Sequence, residues 1–190
     1  MIPDRKPREP AAVKADATVS SAWTSVLEKV RRAPTPHLLL SFDPGETTGW
    51  AYFVDGELRM RGQHATSYEW LSSVFQTLKP TAVVCENYKV YASRAKQHVG
   101  SEVLTVRYIG AIELICQTMG VPLTMQMAFQ AKGFCTDKKL KLWGMYQVAL
   151  PHANDAIRHA VYYLLFHSDT KSSTGKGLHG TQSRRQGSSL

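Results

Sequence analysis

Three carboxylates and one imidazole are spaced so that they could act together. Asp43 closes the apolar run His37–Asp43, and Glu86 closes a second one, Thr81–Glu86. A run apolar on both faces has to be buried, so each acid emerges at the end of a buried strand, beside the core. Asp155 lies in the first turn of a helix opened by Pro151, and His152, three residues earlier, shares its face. The apolar stripe Ile157, Ala160, Val161, Leu164 of that helix points elsewhere. Brought to one end of a sheet, three acids and an imidazole repel and desolvate one another. Divalent cations relieve that strain: oxygen ligands suit Mg²⁺ or Mn²⁺, while imidazole suits Mn²⁺ or proton transfer. Two such ions about 3.5–4 Å apart activate a water and stabilise the leaving oxygen of a phosphodiester. Each residue also has a plainer reading. Asp43-Pro-Gly makes a turn, Asp155 favours a helix N-terminus, and Glu86 could pair with Lys89 or Arg94.

The elements that must position these groups alternate between strand and helix. Gly49–Val54 and Glu57–His64 read as strands joined by an Asp55-Gly56 hairpin turn. Ser67–Leu78 reads as a helix, His98–Met119 as a long apolar one, and a fifth strand follows Gly120-Val-Pro to about Met127. Thr136 opens a helix expected to reach about Gln147, and Pro151 opens the last one, to about Phe166. The order βββαβαβαα predicts an α/β fold, a five-stranded mixed sheet flanked by helices on both faces.

The chain has 190 residues and a formal charge of +8, with 43% hydrophobic residues, which excludes wholesale disorder. Residues 1–36 and 168–190 carry net +3 each, leaving only +2 for residues 37–167. Three regions are therefore expected: an extension over 1–36 with a short amphipathic helix (Val19, Trp23, Val26, Val30), a folded domain over 37–167, and a disordered basic tail over 168–190. That helix is expected to dock on its own domain. Basic flanks point to a polyanion such as nucleic acid. Three cysteines without a CxxC pair argue against a disulfide framework or a zinc site and for a reducing, intracellular setting. No run of 18 apolar residues exists to span a membrane, and the N-terminus lacks a signal-peptide core.

Asp43-Pro-Gly-Glu-Thr-Thr-Gly, Val-Val-Cys-Glu86-Asn and His152-Ala-Asn-Asp155-Ala together resemble the RuvC-type Holliday junction resolvases of the RNase H-like superfamily. Val106-Arg-Tyr-Ile-Gly110-Ala111 is similar to that family's long helix, and the resemblance spans about residues 37–167. It implies an RNase H-like fold and a Mg²⁺-dependent endodeoxyribonuclease, usually a homodimer, that nicks opposed strands of a four-way DNA junction. Asp43, Glu86 and Asp155 would be metal ligands and catalytic residues, with His152 in a fourth position that some members fill with Asp and others with His. Tyr88 or Tyr91 would match the aromatic residue that acts on a base near the crossover. The N-terminal extension and the segment from Gln130 to Lys139 depart from the family's pattern, which suggests a phage or mobile-element relative acting in the cytoplasm or nucleoid of a bacterium or phage-infected cell.

Lys89, Arg94 and Lys96, interleaved with Tyr88 and Tyr91, could hold phosphates while the aromatics stack on bases. Lys132, Lys138, Lys139 and Lys141 form a second basic cluster. His159, four residues after Asp155, reads more readily as a histidine packed near the sheet than as a site residue. Two other classes compete. The Asp43 loop also resembles the first phosphate loop of actin-like ATPases, but those need two such domains. A non-catalytic or differently specialised nucleic-acid protein, for flaps, forks or RNA, would be expected to have lost an acid if it no longer cleaves, yet all three are present.

Overall fold

The computed structural model describes residues 21–30, 36–88 and 101–167. Within them, α1 (Ser21–Val30) precedes β1 (Leu38–Asp43), β2 (Thr47–Val54), β3 (Glu57–Ala65), α2 (Tyr68–Leu78), β4 (Ala82–Asn87), α3 (Ser101–Met119), β5 (Leu123–Met127), α4 (Ala128–Phe134), α5 (Asp137–Leu142) and α6 (Pro151–Phe166). The strands form one mixed sheet in the order β3-β2-β1-β4-β5. β1, β2 and β3 run as an antiparallel meander, and β4 and β5 add in parallel beside β1. The expected five-stranded mixed sheet, with helices on both faces, is what forms.

Alternation along the central strands divides two cores. Leu40, Phe42, Val83 and Cys85 face a layer with Trp70, Leu71 and Phe75 of α2 and Tyr108 and Ile112 of α3. Leu39, Ala82 and Val84 face the other layer, with Ala156, Ile157, Ala160 and Val161 of α6. The period of two then places Asp43, in step with Leu39 and Ser41, on the α6 face, and Glu86, in step with Ala82 and Val84, beside it. Ser41 bolts α6 to this face, its hydroxyl donating to Ala156 O (2.9 Å).

Helix α1 belongs to that same layer. Trp23 is fully buried, its indole N–H donates to Gly56 O (2.9 Å), and its ring lies 5.3 Å from that of Trp143. It docks on the domain that follows it, as expected. Two details differ from the sequence reading. Helix α5 stops at Leu142, before Gly144 (φ 69°), instead of reaching Gln147, and α4 was not foreseen. Met127 caps α4 without a side-chain bond to its N-terminus, and Gln130 reaches back to the Met127 N–H (2.8 Å). With no Ser, Thr, Asp or Asn at the start, the usual signal is missing. Among the described residues no helix is long and apolar enough to cross a membrane.

Candidate active site

The end of β1, the end of β4 and the start of α6 converge; Asp155, expected in the first turn of that helix, lies just past it, because α6 begins at Pro151 and holds no acid in its first turn. Approach of α6 depends on Gly49, which pairs with Asp43 across the β1–β2 ladder. A Cβ on Gly49 would lie 1.9 Å from His152 O and 2.2 Å from His152 C, so the first turn of α6 rests on bare backbone. This close approach lets His152 Nδ1 reach Asp43 Oδ2 at 3.2 Å. Pro151 at N1 sets the entry of the helix, and Asn154 fastens the preceding loop by bonds to Gln147 N (2.9 Å) and O (2.7 Å).

Charge in this cluster is poorly balanced around Asp43. Burial, opposed by the His152 bond and helped by the charges of Glu86 and Asp155, pushes its carboxyl up to about 6. The Asp43 bond in turn raises His152, against a smaller opposing effect of burial. Burial would raise Glu86 too, but the bond from His159 and the charge of Lys132 outweigh it, and the net shift is downward. Lys132 rises because the Glu86 charge and the Asp155 contact overcome its own desolvation.

Sequence reading placed Lys132 in a DNA-facing cluster; the structure places its ammonium in the carboxylate site, 3.0 Å from Asp155 Oδ2 and 3.4 Å from Glu86 Oε2. It comes from α4, the helix that was not foreseen. Arg158 was missed as well. Its guanidinium pairs with both Asp155 and Asp137, and its Nε donates to Cys135 O (2.8 Å), which pins the outer side of Asp155. The i, i+3 spacing from Asp155 was the available signal. His159 is packed against the sheet and also bonded to Glu86 (Nε2 to Oε2, 2.9 Å) and Gln126 (Nδ1 to Oε1, 3.0 Å). The sequence treated those as alternatives.

Other expected contacts fall elsewhere. Tyr88 packs against the α2–α3 core, on the opposite side of the sheet from α6. Lys138 is exposed on α5, whereas Lys139 donates to Phe134 O (2.8 Å) and lies 3.6 Å from the centre of its ring. Lys89, Tyr91, Arg94 and Lys96 lie outside the described residues, as do residues 1–20 and 168–190.

Among the described residues no three His, Cys, Asp or Glu side chains form a ready-made ion cage. The donor set nonetheless suits a hard divalent cation: three carboxylates and an imidazole, with Asp43 held at a raised pKa by burial first and by the charges of Glu86 and Asp155 after it. Lys132 already supplies one positive charge to Glu86 and Asp155. Its side chain is 41% exposed, whereas that of Arg158 is 12% exposed.

No family model matches the chain, and no curated protein matches it by sequence. Solved structures do match. The RuvC protein of Thermus thermophilus in complex with a Holliday junction substrate superposes with a TM-score of 0.53 at 18% identity, over 68% of this chain and 93% of that one. A second structure of Thermus thermophilus RuvC gives 0.50 at 17% identity, over 68% and 94%. At these identities the likeness is one of architecture, and the chain has the RuvC-like, RNase H-like fold.

Proposed function

We propose that the protein is a metal-dependent, structure-selective DNA endonuclease that resolves four-way junctions or related branched DNA. The observation that carries this reading is the meeting of Asp43, Glu86 and Asp155 at one end of the sheet, with His152 on the first and Lys132 across the other two. The solved RuvC–junction complex, which shares the architecture, supports a branched DNA substrate.

Asp43, Glu86 and Asp155 would hold the metal, Mg²⁺ by preference with Mn²⁺ as substitute, and His152 completes the set or moves a proton. The chemistry that cations supply at such a site is activation of a water and stabilisation of the leaving oxygen of a phosphodiester. This chain's residues do the rest. Arg158 keeps Asp155 aimed inward, His152 orients Asp43, and Lys132 exchanges its carboxylates for the phosphate. Lys138, with Lys89, Arg94 and Lys96, would track the backbone, and Tyr91 would meet bases. Nicking two opposed strands calls for two sites, hence a homodimer. The exposed Val106 and Leu114, one helical face of α3 with Gly110 open between them, would supply its apolar contact.

Two experiments arise here. Purified protein offered four-way junctions, flaps, forks and plain duplex in Mg²⁺ is expected to cut the junction at least tenfold faster; equal cutting of all four removes junction selectivity. Lys132→Met is expected to slow nicking about 10- to 100-fold while leaving the Mg²⁺ requirement unchanged or lower, since the ammonium no longer competes for Glu86 and Asp155. A higher Mg²⁺ requirement contradicts that role.

The same Lys132 contacts favour one other reading, a nucleic-acid-binding module whose acids are neutralised permanently by Lys132 and Arg158. In that case the wild type binds junctions without cutting them, and Lys132→Met only lowers the melting temperature.

A further inference from the structure

Nine residues of α6 are buried, and all but Asn154 and His159 are apolar. Asn154 has a structural task, closing the loop at Gln147. His159 closes no loop and caps no helix. It is 0% exposed, and its two ring nitrogens go to Glu86 and to Gln126, itself 1% exposed. Glu86 and Gln126 are direct partners in the parallel β4–β5 ladder, so their side chains project from the same sheet face, and the imidazole enters between them from α6.

This arrangement is expensive. Gln126 Nε2 is buried without a partner, and an aliphatic side chain on α6 would fill the space with no polar group to desolvate. In either orientation of the Gln126 amide, the ring nitrogen facing Glu86 carries a proton, because a carboxylate oxygen only accepts. That bond holds Oε2, the same oxygen that Lys132 approaches. Lys132 can leave toward solvent; His159 cannot.

We propose that His159, backed by Gln126, is a positioning residue that fixes the Glu86 carboxylate for a divalent cation, an inference that rests on the nuclease reading above. Outer partners of this kind typically change metal affinity 10- to 100-fold when removed. The residue contacts neither substrate nor reacting atoms and acts through Glu86 alone.

The test uses the full chain freed of metal. In His159→Leu, the affinity for Mn²⁺, measured by calorimetry without DNA, is expected to fall about 10- to 100-fold, with the Mg²⁺ concentration for half-maximal nicking rising in parallel. Junction affinity in EDTA is expected to stay within about twofold, and His159→Gln, which restores an N–H donor, to recover most of the loss. Wild-type protein labelled with ¹⁵N-histidine gives a second readout independent of how the leucine variant folds. The His159 Nε2 resonance, assigned by its absence in His159→Gln, is expected to shift over the Mg²⁺ range that supports nicking. A folded His159→Leu protein with wild-type Mn²⁺ affinity, or a His159 resonance blind to saturating Mg²⁺, overturns the proposal while wild-type nicking keeps the nuclease reading intact. A wild type that neither binds the cation nor nicks sinks both.

Discussion

Asp43→Asn is expected to reduce nicking of a four-way junction by at least about a thousandfold, roughly 4 kcal/mol of transition-state stabilisation, while junction binding stays intact or tightens. The asymmetry follows from the site. Asp43 is buried, bonded to His152 and crowded by the charges of Glu86 and Asp155, so it is a poor phosphate neighbour and a good cation ligand. Asparagine keeps the shape and removes the charge.

The same substitution changes stability in a predictable sense. The folded-state pKa of Asp43, about 6, lies above its ordinary value of 3.8. Protonation therefore favours the fold, and this group's contribution is complete below about pH 4 and lost as pH rises through 6. A shift of that size corresponds to about 3 kcal/mol. His152, also raised, works in the same direction, its contribution disappearing as pH climbs past its elevated pKa. Glu86, lowered, opposes them only below its ordinary 4.5. Metal-free wild type should accordingly gain stability from pH 8 to pH 5 in urea melts, and Asp43→Asn should flatten most of that slope. An unchanged slope in the variant contradicts the assignment of the strain to Asp43.

Gly49→Ala is expected to be the next most damaging change, without touching any charged group. Ordinary contact distances require the His152 carbonyl to retreat by roughly 1 Å or more from the new methyl group. That movement draws the first turn of α6 off the sheet, taking His152 and Asp155 away from Asp43. Misplacement on this scale costs about 100-fold in rate, and the strain about 1–3 kcal/mol in stability. Gly49 is not among the residues with positive φ, so the penalty is one of space and not of backbone conformation. Nicking within threefold of wild type, in a protein with normal circular dichroism, would show that α6 does not depend on this contact.

Gly49 also illustrates what a sequence discloses. As the last residue of Asp43-Pro-Gly-Glu-Thr-Thr-Gly it was readable as part of a motif, but its reason, a helix turn 103 positions later lying against it, exists only in three dimensions. The faces of Asp43 and Glu86 were legible because strand alternation is strictly local, and His152 and Asp155 because helical spacing is. The carboxylate partners of Lys132 and Arg158 were not legible, since they are decided by how α4 and α6 pack, not by neighbours in the chain. Helix α4 itself starts without a capping residue, so nothing local announced it. For His159 the sequence favours a packed histidine over a site residue, which is true of its burial and silent about its bond to Glu86. Lone residues speak through neighbours that the linear text does not place beside them.

The most direct measurement of the central claim is nicking of a synthetic four-way junction by the wild-type protein, titrated with Mg²⁺ and followed on denaturing gels. The account predicts nicks in opposed strands that appear with Mg²⁺ or Mn²⁺, vanish in EDTA and are absent with Asp43→Asn. A junction left intact at every cation concentration despite tight binding, or nicking that persists in EDTA, would contradict it.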